Sequence, residues 1–225
     1  RPTRRQHRER HGQVGLDDTL STLDALGIAV VGAGCKDGDR SPSGGALGDS
    51  CQAGRPAIFT LNGVTVAVLG YAGAYWNGSP DMPTSNEIAW AEPARVQADV
   101  RAAREQSDVV IVILHAGVEY ATTPSANQVT VAHAAIDAGA DLVVGHHPHV
   151  TQTVERYDSP ESKDGRHGLI VYSLGNAVFD IPRQAAMQGD LLRVHVTRDG
   201  LERAELWPFW IEDAIRPRLL AGEDG

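Results

Sequence analysis

Cysteine is nearly absent: Cys35 and Cys51 are the only two in 225 residues. That excludes a disulfide-built scaffold and any zinc module of clustered cysteines. At most the pair closes one short loop in an oxidising compartment. Aromatic residues make up only 5% of the chain, so aliphatic side chains must build the core. No apolar run approaches the roughly 20 residues of a membrane-spanning helix. No signal-peptide pattern is visible, and membrane association is expected only through sequence upstream of Arg1. Positive charge is in deficit, with 20 Lys and Arg against 29 Asp and Glu. A chain of net charge −9 without a basic aromatic stripe is not a nucleic-acid binder. The arginines at positions 4, 5, 8 and 10 form a local, solvated run. Phosphate-loop, nucleophile-elbow and His-Glu-x-x-His signatures are missing. Gly32-Ala33-Gly34 opens no helix, which removes a dinucleotide-binding reading.

What is present alternates. Residues 1–14 are polar and read as irregular. Residues 15–28 read as a helix, with Leu16, Leu20, Leu23 and Leu26 at helical spacing and Gly27 as its stop. Ile28 to Val31 reads as a short buried strand. Two long polar loops are expected, over 32–56 and 71–91. Between them lie two extended runs joined by Asn62-Gly63, a hairpin signal. Then come a helix over 92–107, a continuous apolar strand ending at His115, a helix over 127–138 and a buried strand leading into Gly145. This alternation predicts an α/β fold with parallel central strands. The later segments read as strands with a turn at Asp199-Gly200, forming an antiparallel edge or second sheet. From Glu212 onward an exposed tail is expected.

The chemistry-bearing residues sit at strand ends. His146, His147 and His149 follow one buried strand, and His115 ends another. In open α/β sheets such strand ends deliver side chains to one edge. Imidazoles converging there suit a divalent metal such as zinc, manganese or iron. If the chain stays extended, His147 and His149 share a side and His146 faces away. Glu119 either binds the metal, moves a proton or orients a histidine, or else it is an exposed loop carboxylate. Asn176 follows the strand 169–172 and either contacts substrate or caps its turn. Asp180 is a second polar residue in that loop, and Arg183 offers a fork-like contact to a carboxylate or phosphate. Asp137 and Asp141 read as structural, as does His133; His167 and His195 receive no role.

The stretch from Ser107 to Tyr157, followed by Gly168 to Asp180, resembles the CapA family of bacterial capsule-synthesis proteins. That family is associated with poly-gamma-glutamate and related to metallophosphatases. The resemblance covers about residues 15–211, leaving 1–14 as an N-terminal remnant and 212–225 as a tail. It implies a layered sandwich with two mixed central sheets. His115 and Glu119 match the family's His-Trp-Gly-x-Glu motif, with Ala116 in place of Trp. Gly145, His146, His147 and His149 match Gly-His-His-Pro-His. Tyr172, Ser173, Gly175 and Asn176 match Tyr-Ser-Leu-Gly-Asn, with Ala177 in place of the following Phe and Asp180 as its Asp. The family's opening strand motif has no counterpart, so by this resemblance the N-terminal part of the domain is expected to be missing from this sequence. Gln6, His7 and Arg10 fall where Asn, His and Asp are usual. A complete binuclear centre is therefore not expected.

The resemblance implies metal-assisted hydrolysis or transfer on an anionic small molecule or glutamyl polymer. His115, Glu119 and Asn176 would do the chemistry, the four histidines would hold metal, and Asn176, Asp180 and Arg183 would meet substrate. The alternatives are a non-catalytic assembly subunit of an envelope-polymer complex and a phosphoesterase unrelated to capsule. Other capsule-synthesis proteins are the expected partners, at the extracytoplasmic face of the cell envelope.

Overall fold

The computed structural model describes residues 5–34, 53–73, 88–161, 167–179 and 183–220, with side chains from residue 15 onward. Asp180, Cys35 and Cys51 lie outside the described residues.

Helix α1 runs from Arg5 to Ala25. Residues 5–14 are thus helical, not irregular. Arg, Gln and Glu are good helix formers even where no apolar stripe betrays the period. Gly27, at φ 68°, ends the helix as expected. Its amide donates to the Asp24 carbonyl and that of Ile28 donates to Leu23, a paired closure that needs a left-handed residue. The anticipated strand over 28–31 does not form. Ile28 is consumed in closing the helix, and only Ala33 makes an isolated bridge, to Ile88.

Six strands form the main sheet in the order β1-β2-β3-β4-β6-β5. They are β1 (Ala57–Leu61), β2 (Val64–Ala72), β3 (Val109–His115), β4 (Leu142–His146), β5 (Val154–Asp158) and β6 (His167–Val171). The middle four are parallel, and β1 and β5 are antiparallel edges. Asn62 and Gly63, both at positive φ, make the two-residue turn between β1 and β2. Strand β5 has no apolar run to announce it, since its residues alternate exposed and half-buried along Val-Glu-Arg-Tyr-Asp.

Helices α2 (Pro93–Arg104) and α3 (Ala126–Asp137) are the crossovers into β3 and β4. Right-handed crossovers between successive neighbouring strands put both helices on one face. There Val96, Val100, Val131 and Ala135 pack on Leu69, Val110, Val112, Leu114 and Ile170. Asp141, just ahead of β4, accepts from the Val110 amide (2.8 Å) and pairs with Arg104 (2.7 Å). It is structural, as is Asp137, which accepts from Ser159.

A second, three-stranded antiparallel sheet holds β7 (Gln188–Thr197), β8 (Gly200–Glu212) and β9 (Arg216–Leu219). Part of the anticipated C-terminal tail is therefore a strand, although all four of its residues are exposed. The sheets meet at a glycine seam, where Gly175 bridges Gly189. A Cβ on Gly175 would stand 2.5 Å from the Gln188 carbonyl oxygen, and one on Gly189 would collide with the backbone of Asn176.

Candidate functional site

The parity of β3 and β4 builds the site. Val110, Val112 and Leu114 face the helices, so His115 projects from the opposite face. His115 and His146 are register partners at the C-terminal ends of adjacent parallel strands. Their Nδ1 atoms lie 3.0 Å apart. Close strand approach is possible because position 145 is glycine; a Cβ there would overlap the Tyr172 carbonyl.

Beyond β4 the chain is not extended. His147 has φ 102° and His149 φ 60°. This corrects the expectation that His146 faces away from His147: the turn at His147 brings its ring against that of His115, where the His146 ring also lies. His147 lies with its ring centroid 4.7 Å from that of His115 and 6.0 Å from that of His149. Left-handed geometry at two non-glycine residues is strained, and such strain concentrates at functional positions. The loop is pinned by two backbone bonds, Ala116 N–H to the His146 carbonyl (3.1 Å) and Tyr120 N–H to that of Pro148 (2.7 Å).

Asn176 fixes His149. The Asn176 Nδ2 donates to the carbonyls of His149 (3.2 Å) and Ala186 (2.9 Å), so its orientation is determined. Its Oδ1 can then only accept, and the His149 Nδ1, 2.8 Å away, must donate. Neutral His149 therefore keeps an unprotonated Nε2, the arrangement of a metal-binding or proton-accepting histidine. Phe179 stacks on the same ring, with centroids 4.7 Å apart.

Burial, reinforced by the neighbouring histidines, pulls the His115 pKa down to about 4. His146 is lowered by the same causes, although its side chain is exposed. Burial also lowers His147, while the half-buried Glu119 carboxylate opposes that shift and His149 adds to it. These three histidines are neutral near pH 7, the protonation state that donates to metals.

The residues fit a metal only as a partial set. The His115 and His146 nitrogens stand close to the roughly 3.3 Å separating two ligands of a tetrahedral ion. The buried His147 Nε2 has no hydrogen-bond partner among the described residues. Yet among the described residues no three such side chains already converge at ligand distance. The arrangement supplies nitrogen donors suited to zinc, iron or manganese.

The structure also reveals residues that sequence reasoning overlooked. Gln128, buried on α3, takes the Ser125 amide on its Oε1 (2.9 Å) and donates to the Gln152 Oε1 (3.0 Å). Gln152 in turn donates to the carbonyls of Ala121 and Thr123. This relay ties the Glu119 loop to the helix. The Ser125-x-x-Gln128 capping box was its readable signal. Tyr120 carries Arg183 on its ring face, 4.0 Å from the guanidinium carbon. His133 lies outside this group; it bonds Glu155 and stacks on Tyr157. His167 and His195 have found carboxylates, Asp158 and Glu205.

The fold is that of a metallophosphatase-like layered sandwich. It is similar to the NAD nucleotidase of Haemophilus influenzae, with a TM-score of 0.51 at 15% identity over 92% of this chain and 41% of that one. A 5′-nucleotidase precursor from Thermus thermophilus matches with a TM-score of 0.51 at 17% identity, over 91% of this chain and 38% of its own. The family model of the bacterial capsule synthesis protein PGA_cap matches residues 6–181, and the chain belongs to that family. Its relatives include the PGA biosynthesis protein CapA of Bacillus subtilis (strain 168), 31% identical over 92% of this chain and 50% of the relative. The capsule biosynthesis protein CapA of Bacillus anthracis is 29% identical over 92% of this chain and 46% of its own. The chain thus spans about half the length of these relatives.

Proposed function

We propose that this chain acts in capsule or poly-gamma-glutamate synthesis as a metal-dependent hydrolase or transferase on an anionic substrate. The observation that carries the reading is the His149–Asn176 pair, which assigns the proton of a neutral His149 to Nδ1 and so turns Nε2 into the acceptor nitrogen, among three further imidazoles. His115, His146, His147 and His149 would hold the ion. Such an ion lowers the pKa of bound water and stabilises developing negative charge. Glu119 lies near enough to His147 to influence its charge, and would accept a proton or steady that ring. Asn176 keeps His149 in register, and Phe179 covers one face of the ring. Substrate would enter beside Arg183.

The proposed setting is the extracytoplasmic face of the cell envelope, beside other capsule-synthesis proteins. A second reading, a non-catalytic assembly subunit, draws on the edge strand β1, where Ile58, Phe59 and Leu61 are exposed.

The test is metal content after loading with zinc, manganese or iron, together with hydrolysis of p-nitrophenyl phosphate and of a glutamyl oligomer. Stoichiometric metal with turnover of either compound, both lost in His149→Ala, is expected. Phosphate-ester turnover alone would favour a phosphoesterase. No metal retention by the wild-type chain would favour the assembly reading.

A further inference from the structure

Building on the anionic-substrate reading, we infer that Tyr120 and Arg183 form an oxyanion receptor, gripping a carboxylate or phosphate of the substrate that does not itself react. Tyr120 is a bulky residue held at φ 65°, a conformation side chains of its size rarely adopt. Its N–H donates a 2.7 Å hydrogen bond to the Pro148 carbonyl, which keeps it there and ties it to the histidine loop. The left-handed turn makes neighbouring side chains diverge. Glu119 acts on His147, whereas the Tyr120 ring lies 6.2 Å from that of His149 and beneath Arg183.

Stacking commits the face of the guanidinium and leaves its edge of N–H donors for a partner. Among the described residues no carboxylate takes that edge. The Arg183 backbone is anchored as well: its carbonyl accepts from Ala186 N–H (2.8 Å), and the Ala186 carbonyl accepts from Asn176. The same asparagine therefore registers both His149 and the backbone from which Arg183 projects.

Charge assigns the ligand class. The chain carries a net charge of −9, so its overall field does not draw anions in. Arg183 supplies a permanent positive charge at this rim, while Glu119 opposes anions on the His147 side. An anionic substrate would orient with its spare charge on Arg183 and its reacting group toward the imidazoles.

The experiment uses the whole chain, metal-free, with arginine side-chain N–H signals followed by NMR. Inorganic phosphate and glutarate are titrated separately at constant ionic strength, so the tighter probe names the oxyanion. The expected result is a saturable shift of the Arg183 signal with at least one probe. Arg183→Gln, and Tyr120→Gly (which suits the backbone and removes the ring), should each weaken binding at least roughly fivefold. Arg183→Lys should not restore it, because the flat fork is lost. No saturable wild-type shift with either probe, or unchanged affinity in Arg183→Gln, overturns the receptor. Zinc affinity is measured on the same proteins. Failure of zinc binding with anion binding intact would remove the metal reading and leave this one standing.

Discussion

The Oδ1 of Asn176 lies 2.8 Å from the Nδ1 of His149, while the Nδ2 of the same amide is spent on two backbone carbonyls. An amide held in this way can only accept from the imidazole. It thereby sets which His149 nitrogen carries the proton.

Asn176→Ala should therefore do two things. The buried Ala186 carbonyl loses its donor, at a cost of about 1–3 kcal/mol by denaturant titration, and the half-buried His149 carbonyl loses its donor at a smaller cost. Zinc affinity should fall by roughly 10–100-fold, as for other residues that orient a ligand. Asn176→Asp should keep the Nδ1-protonated tautomer, visible in histidine 15N shifts, yet be less stable than wild type. An Nε2-protonated His149 in the wild-type spectrum would contradict the assignment.

Gly145→Ala should fail to fold or be destabilised by more than about 3 kcal/mol. The new methyl meets the Tyr172 backbone, which cannot give way without separating β4 from β6. Far-ultraviolet circular dichroism and thermal melting of the purified variant check this.

Gln128→Leu and Gln152→Leu should each cost about 1–3 kcal/mol, because each leaves buried amide groups unpaired. The double variant should lose less than the sum, since both act on one relay. Additive losses in urea unfolding would show that the two amides work independently.

Acid should loosen the chain in part through Glu155. Burial raises its pKa, but donation from Tyr172 and His133 outweighs this and holds it below the ordinary 4.5. A carboxyl lowered by folding adds stability above its unfolded value and loses it as pH falls through the folded one. Stability from this source should thus be intact above about pH 4.5 and fade below it. Glu155→Gln should flatten that limb of the stability–pH curve. An unchanged slope would remove Glu155 from the acid response.

Much of the fold was readable because its central strands are continuous aliphatic runs. The stretch from Val109 to His115 and the pair Asn62-Gly63 could hardly mean anything else. Convergence of His115 with the later histidines was also readable, since parallel strands end on one edge. What escaped was geometry set by backbone torsion. Nothing in the letters His-His-Pro-His announces positive φ at His147 and His149, and that torsion decides where the side chains go. Strand β5 and the first turns of α1 escaped for another reason: the sequence of neither carries an apolar period.

The glycine seam gives the outer sheet a hold on the chemistry. With only hydrogen between the backbones at Gly175 and Gly189, no soft layer absorbs displacement. A shift of β7 moves the turn that carries Asn176, and Asn176 steers His149. Whatever docks on or strains the three-stranded sheet thus pulls directly on an imidazole, much as a rigid linkage carries motion from a handle to a latch.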